Sequence, residues 1–580
     1  MRLYTGLVVA AEALCLLSGV VAFPFAGPEP IPVDGIDRLI SKRYLSTLEK
    51  RGSGYANGGN QWNSGKWSNG WLKNLFNYEI SFYHINDVHA HLDEFRSSGS
   101  SCTDTTKGCV GGYSRVKSVI QSTRPTKKNS LFLNAGDEFQ GTLFYTLFKG
   151  EKIAETLNQL GFDAMTLGNH EFDDGDDLLA GFLSNLTFPI ISSNIHTENR
   201  KLAKSLLPYK VYQKHALAVL AVTTETTATI SNPSNQTTFE DPVVAAKRTV
   251  KAIKKAYPWI RRIVALTHIG YDKDIELAQS TTDISLIIGG HSHTLLGDEP
   301  AAKGKYPTIE TNLDGDEVFV VTSYRWGEYL GYIDVEYDLS GKIVRYEGAP
   351  FHLTNTTAEE PKLKAQVKDW AKAFSSYAST ILGYTQYPLV QSTCQLEECT
   401  LGSFTADSME DYRPCDAAII NAGGIRSEID AGNITLQQSL ECFPFGNSVA
   451  QLPFTGAQLW DIFEGIVSKK NLANGVAVTS FVQVSRSIRF TYNPTNAVGS
   501  KLITLSIKGA PIDLTKTYTI NTLDYLATGG DSFWVARSDF ATLDTMDEVW
   551  ADYVRKVTPI SYTVDGRIAT TTETVPSKGV

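Results

Sequence analysis

Three observations predict an α/β fold in more than one domain. Five short apolar runs in the first half are separated by helix-like segments, the pattern of βαβ units in an α/β layer fold. Each run carries an Asp, Asn or His at or near its end. The chain has 580 residues, more than one hydrophobic core usually supports, so two domains are expected.

The runs are 82–89, 131–137, 165–171, 263–268 and 286–293. In open α/β sheets ligands collect beyond the carboxyl ends of the strands, where each run places its polar residue. One edge therefore gathers Asp87, His89, Asp137, Asn169, His268, His291 and His293. Two carboxylates, an amide and four imidazoles suit a pair of borderline divalent ions such as Zn, Mn or Fe. Beyond these runs, residues 359–382 read as a helix, with Leu363, Val367, Trp370, Phe374, Tyr377 and Ile381 at helical spacing.

The second half holds three further blocks. Ala417–Ile420 leads into Asn421 and a glycine turn, then Arg426. Phe445 lies on a loop punctuated by Pro444 and Gly446, and Tyr525 precedes the turn Gly529-Gly530-Asp531. Two aromatic rings can sandwich a nucleobase, Asp531 can accept from ribose hydroxyls, and Arg426 can contact phosphate as a fork. Read from the residues alone, packing in a core or filling a turn is the favoured role of each ring.

Hydrophobic residues make up 42% and charged residues 20%, ordinary for a globular protein. A net charge of −10 argues against binding a nucleic-acid polymer and leaves a small phosphorylated substrate open. Arg2, the apolar stretch 7–21 and small residues up to Ala22 read as a secretory signal peptide, 1–22. Lys50-Arg51 is either a dibasic processing site closing a pro-segment, 23–51, or a solvated charged turn. Residues 52–78 form a Gly/Asn/Ser-rich flexible leader. No apolar C-terminal tail suggests a lipid anchor, so the protein reads as released.

With Cys15 in the signal peptide, six cysteines remain and formally allow 15 pairings. A secreted context and local spacing favour Cys102–Cys109 and Cys394–Cys399, leaving Cys415–Cys442. A zinc cluster is the rival reading, although there is no Cys-x-x-Cys pair. Asn185, Asn235, Asn355 and Asn433 are glycosylation acceptors by sequence.

Asn86-Asp87-Val88-His89, Gly136-Asp137-Glu138-Phe139-Gln140-Gly141, Gly168-Asn169-His170-Glu171-Phe172-Asp173 and Gly290-His291-Ser292-His293 resemble the signature blocks of calcineurin-like metallophosphatases. Their order, the linking Gly111-Gly112-Tyr113-Ser114-Arg115 and the second-half blocks are most similar to the 5′-nucleotidase branch. The resemblance implies a four-layer-type metallophosphatase α/β domain (79–357) joined by a linker helix (358–383) to a C-terminal α+β nucleotide-binding domain (384–570), with a tail at 571–580.

It further implies two divalent ions, zinc first with manganese or cobalt as alternatives. Asp87, His89 and His293 would hold one, Asn169, His268 and His291 the other, with Asp137 bridging. His170, oriented by Asp173, would stabilise charge on the phosphoryl group. Phe445 and Tyr525 would take the base, Asp531 the ribose, and Asn421 and Arg426 other substrate oxygens.

Two departures stand out. His293 occupies a position where relatives often carry Gln or Asn. Gln395 occupies the position after Cys394 where the family usually has a phosphate-holding Arg, with Arg486 a candidate substitute. The expected activity is hydrolysis of nucleoside 5′-monophosphates. An apyrase or nucleotide-sugar hydrolase is the alternative within the class, and a non-catalytic nucleotide-binding protein is the alternative outside it.

Overall fold

The structure, a computed structural model, describes residues 77–96, 102, 108–537 and 539–576. The expected signal peptide, the dibasic segment and nearly all of the expected leader lie outside the described residues. The five apolar runs become strands. They are buried on both faces, which explains continuous apolar stretches in place of alternation.

Two sheets form the first half. One runs in the order Ile343–Glu347, Tyr329–Tyr337, Tyr78–Ile85, Ser130–Asn134, Ala164–Met165, Ile190–Ile191, Leu206–Leu207. The other runs Thr308–Thr311, Glu317–Val321, Ile284–Ile288, Arg262–His268, Leu217–Thr223, Tyr209–Tyr212. The sheets share a core in which Phe82, Leu131 and Leu133 meet Val219, Val264, Leu266 and Ile288. Helices Tyr113–Thr123, Gly150–Leu157 and Gly175–Ser184 cover the outside of the first sheet through Val116, Ile153 and Leu179. Helices Pro242–Ala256 and Tyr271–Ser280 cover the second through Ala246, Val250 and Leu277. This is a four-layer α/β sandwich.

Parallel register aligns the strand ends: Ile85 pairs with Asn134, Asn134 with Met165, and Leu266 with Ile288. All five candidate segments therefore emerge on one edge.

The helix after the sandwich is shorter than its apolar spacing predicts. It spans Pro361–Ala371, capped by the Glu360 carboxylate accepting from the amides of Lys362 and Leu363. A short turn Ser375–Ala378 and a strand Ile381–Thr385 follow. Leu363 and Val367 are buried against the first core, but Tyr377 and Ile381 are 58% and 60% exposed. With no core for the last third of the stripe to face, the helix ends early.

The second half has its own cores. A five-stranded sheet is ordered Val482–Val484, Ala417–Asn421, Thr517–Leu523, Ser448–Thr455, Ala541–Thr545. A four-stranded sheet runs Ala510–Pro511, Leu502–Ile507, Ile488–Tyr492, Ile568–Thr570. Helices Thr400–Tyr412, Gly456–Val467 and Met546–Val557 pack against them, an α+β arrangement.

Cys102–Cys109 and Cys394–Cys399 are bonded as spacing predicts. The remaining expected pair is not: Cys415 and Cys442 are both free thiols. Cys415 precedes the strand Ala417–Asn421, whereas Cys442 touches Ser427 beyond its far end. Five extended residues span about 16 Å, more than the roughly 7 Å a disulfide allows between Cα atoms.

Candidate active site

The strand ends turn sharply. Asp87, His89, Asp137, His291 and His293 have φ of 51°, 50°, 60°, 83° and 48°, the left-handed region that costs a non-glycine residue about 1–3 kcal/mol. Backbone hydrogen bonds hold these turns: Asp87 N–H donates to Gly136 O (2.9 Å) and His89 N–H to Asp137 O (3.0 Å). The His291 amide donates to the Asp87 carboxylate at 2.9 Å. Gly168 is required by proximity, since a Cβ there would lie 2.1 Å from Asp137 Oδ1.

The predicted ligands fall into two groups. Ligand atoms of Asp87, His89 and His293 lie within 4.8 Å of one another, as do those of Asp137, His268 and His291. Asp137 Oδ2 stands between the groups, 3.0 Å from His268 Nε2 and 3.8 Å from His89 Nε2. His89 Nδ1 is held by Phe139 O at 2.9 Å and His268 Nδ1 by Ala135 O at 2.7 Å, which turns both Nε2 atoms toward the shared space. Asn169 Oδ1 is buried without a hydrogen-bond partner, and His268 Nε2 faces only the Asp137 carboxylate. A buried amide oxygen left unpartnered among carboxylates and imidazoles fits the donor set of divalent ions.

His170 Nδ1 is 2.7 Å from Asp173 Oδ2, and Ser231 Oγ donates to the other oxygen of Asp173. The His170 amide donates to Asp137 Oδ1 at 2.9 Å. Burial opposes charge on His170, yet the Asp173 and Asp137 carboxylates outweigh it and raise its pKa.

The second half reaches this edge. The Phe445 ring stacks on His170 with centroids 5.3 Å apart and planes 14° apart. The Arg426 guanidinium lies 5.4 Å over Phe445, with Nη2 3.3 Å from His89 Nε2. Asp531 forms a separate cluster: Asn421 Nδ2 and Thr479 Oγ1 each donate to it at 2.6 Å, and the Tyr525 hydroxyl lies 3.4 Å away. Gln395 Oε1 accepts from Phe481 N–H at 3.0 Å and from Ser480 Oγ at 3.4 Å. Arg486 does not stand in for the missing cation, because it is bound to Asp407 and to the Tyr553 hydroxyl at 3.0 Å.

Several contributors escaped sequence reasoning. The Glu171 carboxylate accepts from the amides of Asp137 (3.0 Å), Glu138 (2.6 Å) and Gly168 (2.6 Å), bracing two ligand turns; burial pushes its pKa up to about 7. Asn86 Nδ2 donates to Asp87 Oδ2 at 2.6 Å. Both stand inside the motifs that carry the resemblance, beside the ligands, which was the available signal. Ser231 carried none.

A four-layer α/β sandwich with paired ligand groups at one strand edge defines a calcineurin-like phosphoesterase, and residues 80–295 match that family's model. Residues 380–537 match the 5′-nucleotidase C-terminal domain. The chain belongs to the 5′-nucleotidase family. It is 32% identical to the 5′-nucleotidase of Mus musculus, over 85% of this chain and 90% of that one. It is also 32% identical to the apyrase of Tabanus yao, over 85% of this chain and 94% of that one. Its fold matches the crystal structure of a 5′-nucleotidase precursor from Thermus thermophilus with TM-score 0.79 and 30% identity, covering 86% of this chain and all of that one. The metallophosphatase family implies divalent metal ions, and the two ligand groups are the candidate sites for them.

Proposed function

We propose that this protein is a secreted, metal-dependent 5′-nucleotidase that hydrolyses nucleoside 5′-monophosphates such as AMP to nucleoside and phosphate. The observation that carries the reading is the joining of the two ligand groups through Asp137 beside the His170–Asp173 pair. Asp87, His89 and His293 would hold one ion, and Asn169, His268 and His291 the other, with zinc the first choice and manganese or cobalt alternatives. Two such ions would polarise the phosphoryl oxygens and lower the pKa of an attacking water.

The protein's own groups do the rest. Asp173 holds Nδ1 of His170, leaving the proton at Nε2 for a phosphoryl or leaving-group oxygen. Arg426 offers a guanidinium to the phosphate, Phe445 and Tyr525 offer faces to the base, and Asp531 accepts from ribose.

Secretion is supported by the apolar N-terminal stretch and by exposure of Asn185, Asn235, Asn355 and Asn433, the proposed glycan sites. No helix among the described residues is long and apolar enough to cross a membrane. The negative net charge favours a small nucleotide over a nucleic-acid polymer.

A second reading, hydrolysis of ADP, ATP or UDP-sugars, is favoured by Gln395 in place of the family's Arg and by the apyrase relative. The test is phosphate release from AMP, ADP, ATP and UDP-glucose by the purified protein, before and after EDTA and after adding zinc or manganese. EDTA-sensitive turnover strongest on AMP is expected. Faster ADP or ATP turnover would make it an apyrase, and nucleotide binding without turnover would make it a sequestering protein.

A further inference from the structure

Arg325 has no place in the motifs, yet the loop that carries it is strapped to the ligand edge on both sides. Ser323 N–H and Oγ donate to Asn86 Oδ1 at 2.9 and 2.6 Å. Asn86 Nδ2 donates to Tyr324 O at 2.8 Å, and Trp326 N–H donates to Asp87 O at 2.6 Å. Tyr324 and Trp326, the residues on either side of Arg325, have φ of 65° and 59°. Bulky residues avoid this region, so two of them around one arginine mark a backbone held by its surroundings in a costly shape. That shape presents Arg325 beside the Asp87–His89–His293 group.

The guanidinium itself is under-used. It lies 3.7 Å over the Trp326 ring, which fixes its plane, and its Nε is buried without a hydrogen-bond partner. Among the described residues it forms no ion pair. Glu328, the carboxylate three positions on, is committed to His352 at 3.1 Å. Arg426 reaches the same ligand group, with Nη2 3.3 Å from His89 Nε2. Arg426 likewise lacks a carboxylate partner among the described residues. Two half-buried guanidinium groups without an ion pair at one edge can share a doubly charged anion through charge-assisted hydrogen bonds.

We propose that Arg325 is a substrate-binding residue: it contacts the terminal phosphoryl group of the nucleotide together with Arg426, and so supplies from the catalytic half the cation missing at Gln395. This rests on the 5′-nucleotidase reading. Its ligand class is a phosphate monoester dianion or the end of a longer phosphate chain. Trp326 packs on His91 with rings 5.1 Å apart, so the platform under Arg325 is itself anchored in the sandwich.

The test uses the metal-loaded full chain with Arg325→Met, which keeps an apolar stem over Trp326, and Arg325→Lys, which keeps the charge without the fork. Competition by inorganic phosphate is read alongside KM for AMP and competition by adenosine, which has no phosphate. In Arg325→Met the inhibition constant of phosphate and KM for AMP should rise together by about 10- to 100-fold, the range of one charge-assisted hydrogen bond. The adenosine constant should stay unchanged, and Arg325→Lys should recover part of the loss. An unmoved phosphate constant overturns the proposal. So does loss of bound metal in both variants with phosphate competition intact, which would make the loop a brace for Asp87 only. A wild-type protein that phosphate does not inhibit and that cleaves no ester would instead fail the nucleotidase reading itself.

Discussion

Removing the two aromatic rings of the second half, one at a time, separates substrate selection from chemistry. From sequence alone Phe445 and Tyr525 are equivalent base-stacking faces. The structure makes them unequal. Phe445 also lies against His170 at 5.3 Å and under Arg426 at 5.4 Å, whereas Tyr525 reaches toward Asp531.

Losing one stacking face costs about 1–3 kcal/mol per base, or roughly a 5- to 150-fold rise in KM for AMP, in either Phe445→Ala or Tyr525→Ala. Losing an aromatic contact on His170 costs about a further 0.5–1.5 kcal/mol, roughly a 2- to 12-fold fall in kcat, in Phe445→Ala alone. The assay is steady-state kinetics on AMP and on p-nitrophenyl phosphate, which presents no nucleobase. Tyr525→Ala should leave the aryl phosphate untouched, and Phe445→Ala should slow both substrates. A Tyr525→Ala protein equally impaired on both, or a Phe445→Ala protein unimpaired on the aryl phosphate, would refute the division.

Other perturbations probe the metal edge and the scaffold. Asp137→Asn should abolish turnover of every ester and lower metal content by elemental analysis; retained metal and rate would contradict a bridging role. Asp407, buried, takes both Nη atoms of the buried Arg567 at 2.7 and 2.9 Å. Asp407→Ala should cost about 3–5 kcal/mol in denaturant unfolding because it strands a buried guanidinium, and an unchanged midpoint would count against it. His84 is buried with Nε2 2.8 Å from the Tyr306 hydroxyl, and burial lowers its pKa to about 3. Below its unfolded value near 6.5 the unfolded chain binds a proton that the folded chain refuses. This contribution is therefore intact above about pH 6.5 and lost as pH falls toward 3, by about 2 kcal/mol at pH 5. In His84→Gln the stability lost between pH 7 and pH 5 should be smaller by that amount.

What was legible, and what was not, follows from how far each signal reaches along the chain. A doubly buried strand followed by its ligand is a local pattern, so all five strands and the seven residues gathered at their ends could be read directly. His170 and Asp173 are three positions apart and share one turn. Pairing Cys415 with Cys442 by elimination misled, because elimination says nothing of the strand standing between them. The helix after the sandwich misled because its apolar stripe continues past the point where a core remains to receive it. Ser231 stands 58 positions from Asp173, with no motif to join them.

The sequence by itself determined the layer architecture, the family, the donor set of the metal edge and the residues expected to meet a nucleotide. Those properties depend on residue type and short-range period, which a chain carries whether or not it is folded. Only the tertiary structure decided how they are partnered: Phe445 on His170, Asp531 with Asn421 and Thr479, Arg486 on Asp407, and Arg325 strapped beside Asp87 with its charge unspent. Those pairings arise where loops from distant strands converge on one edge, and the packing of the layers beneath sets their positions.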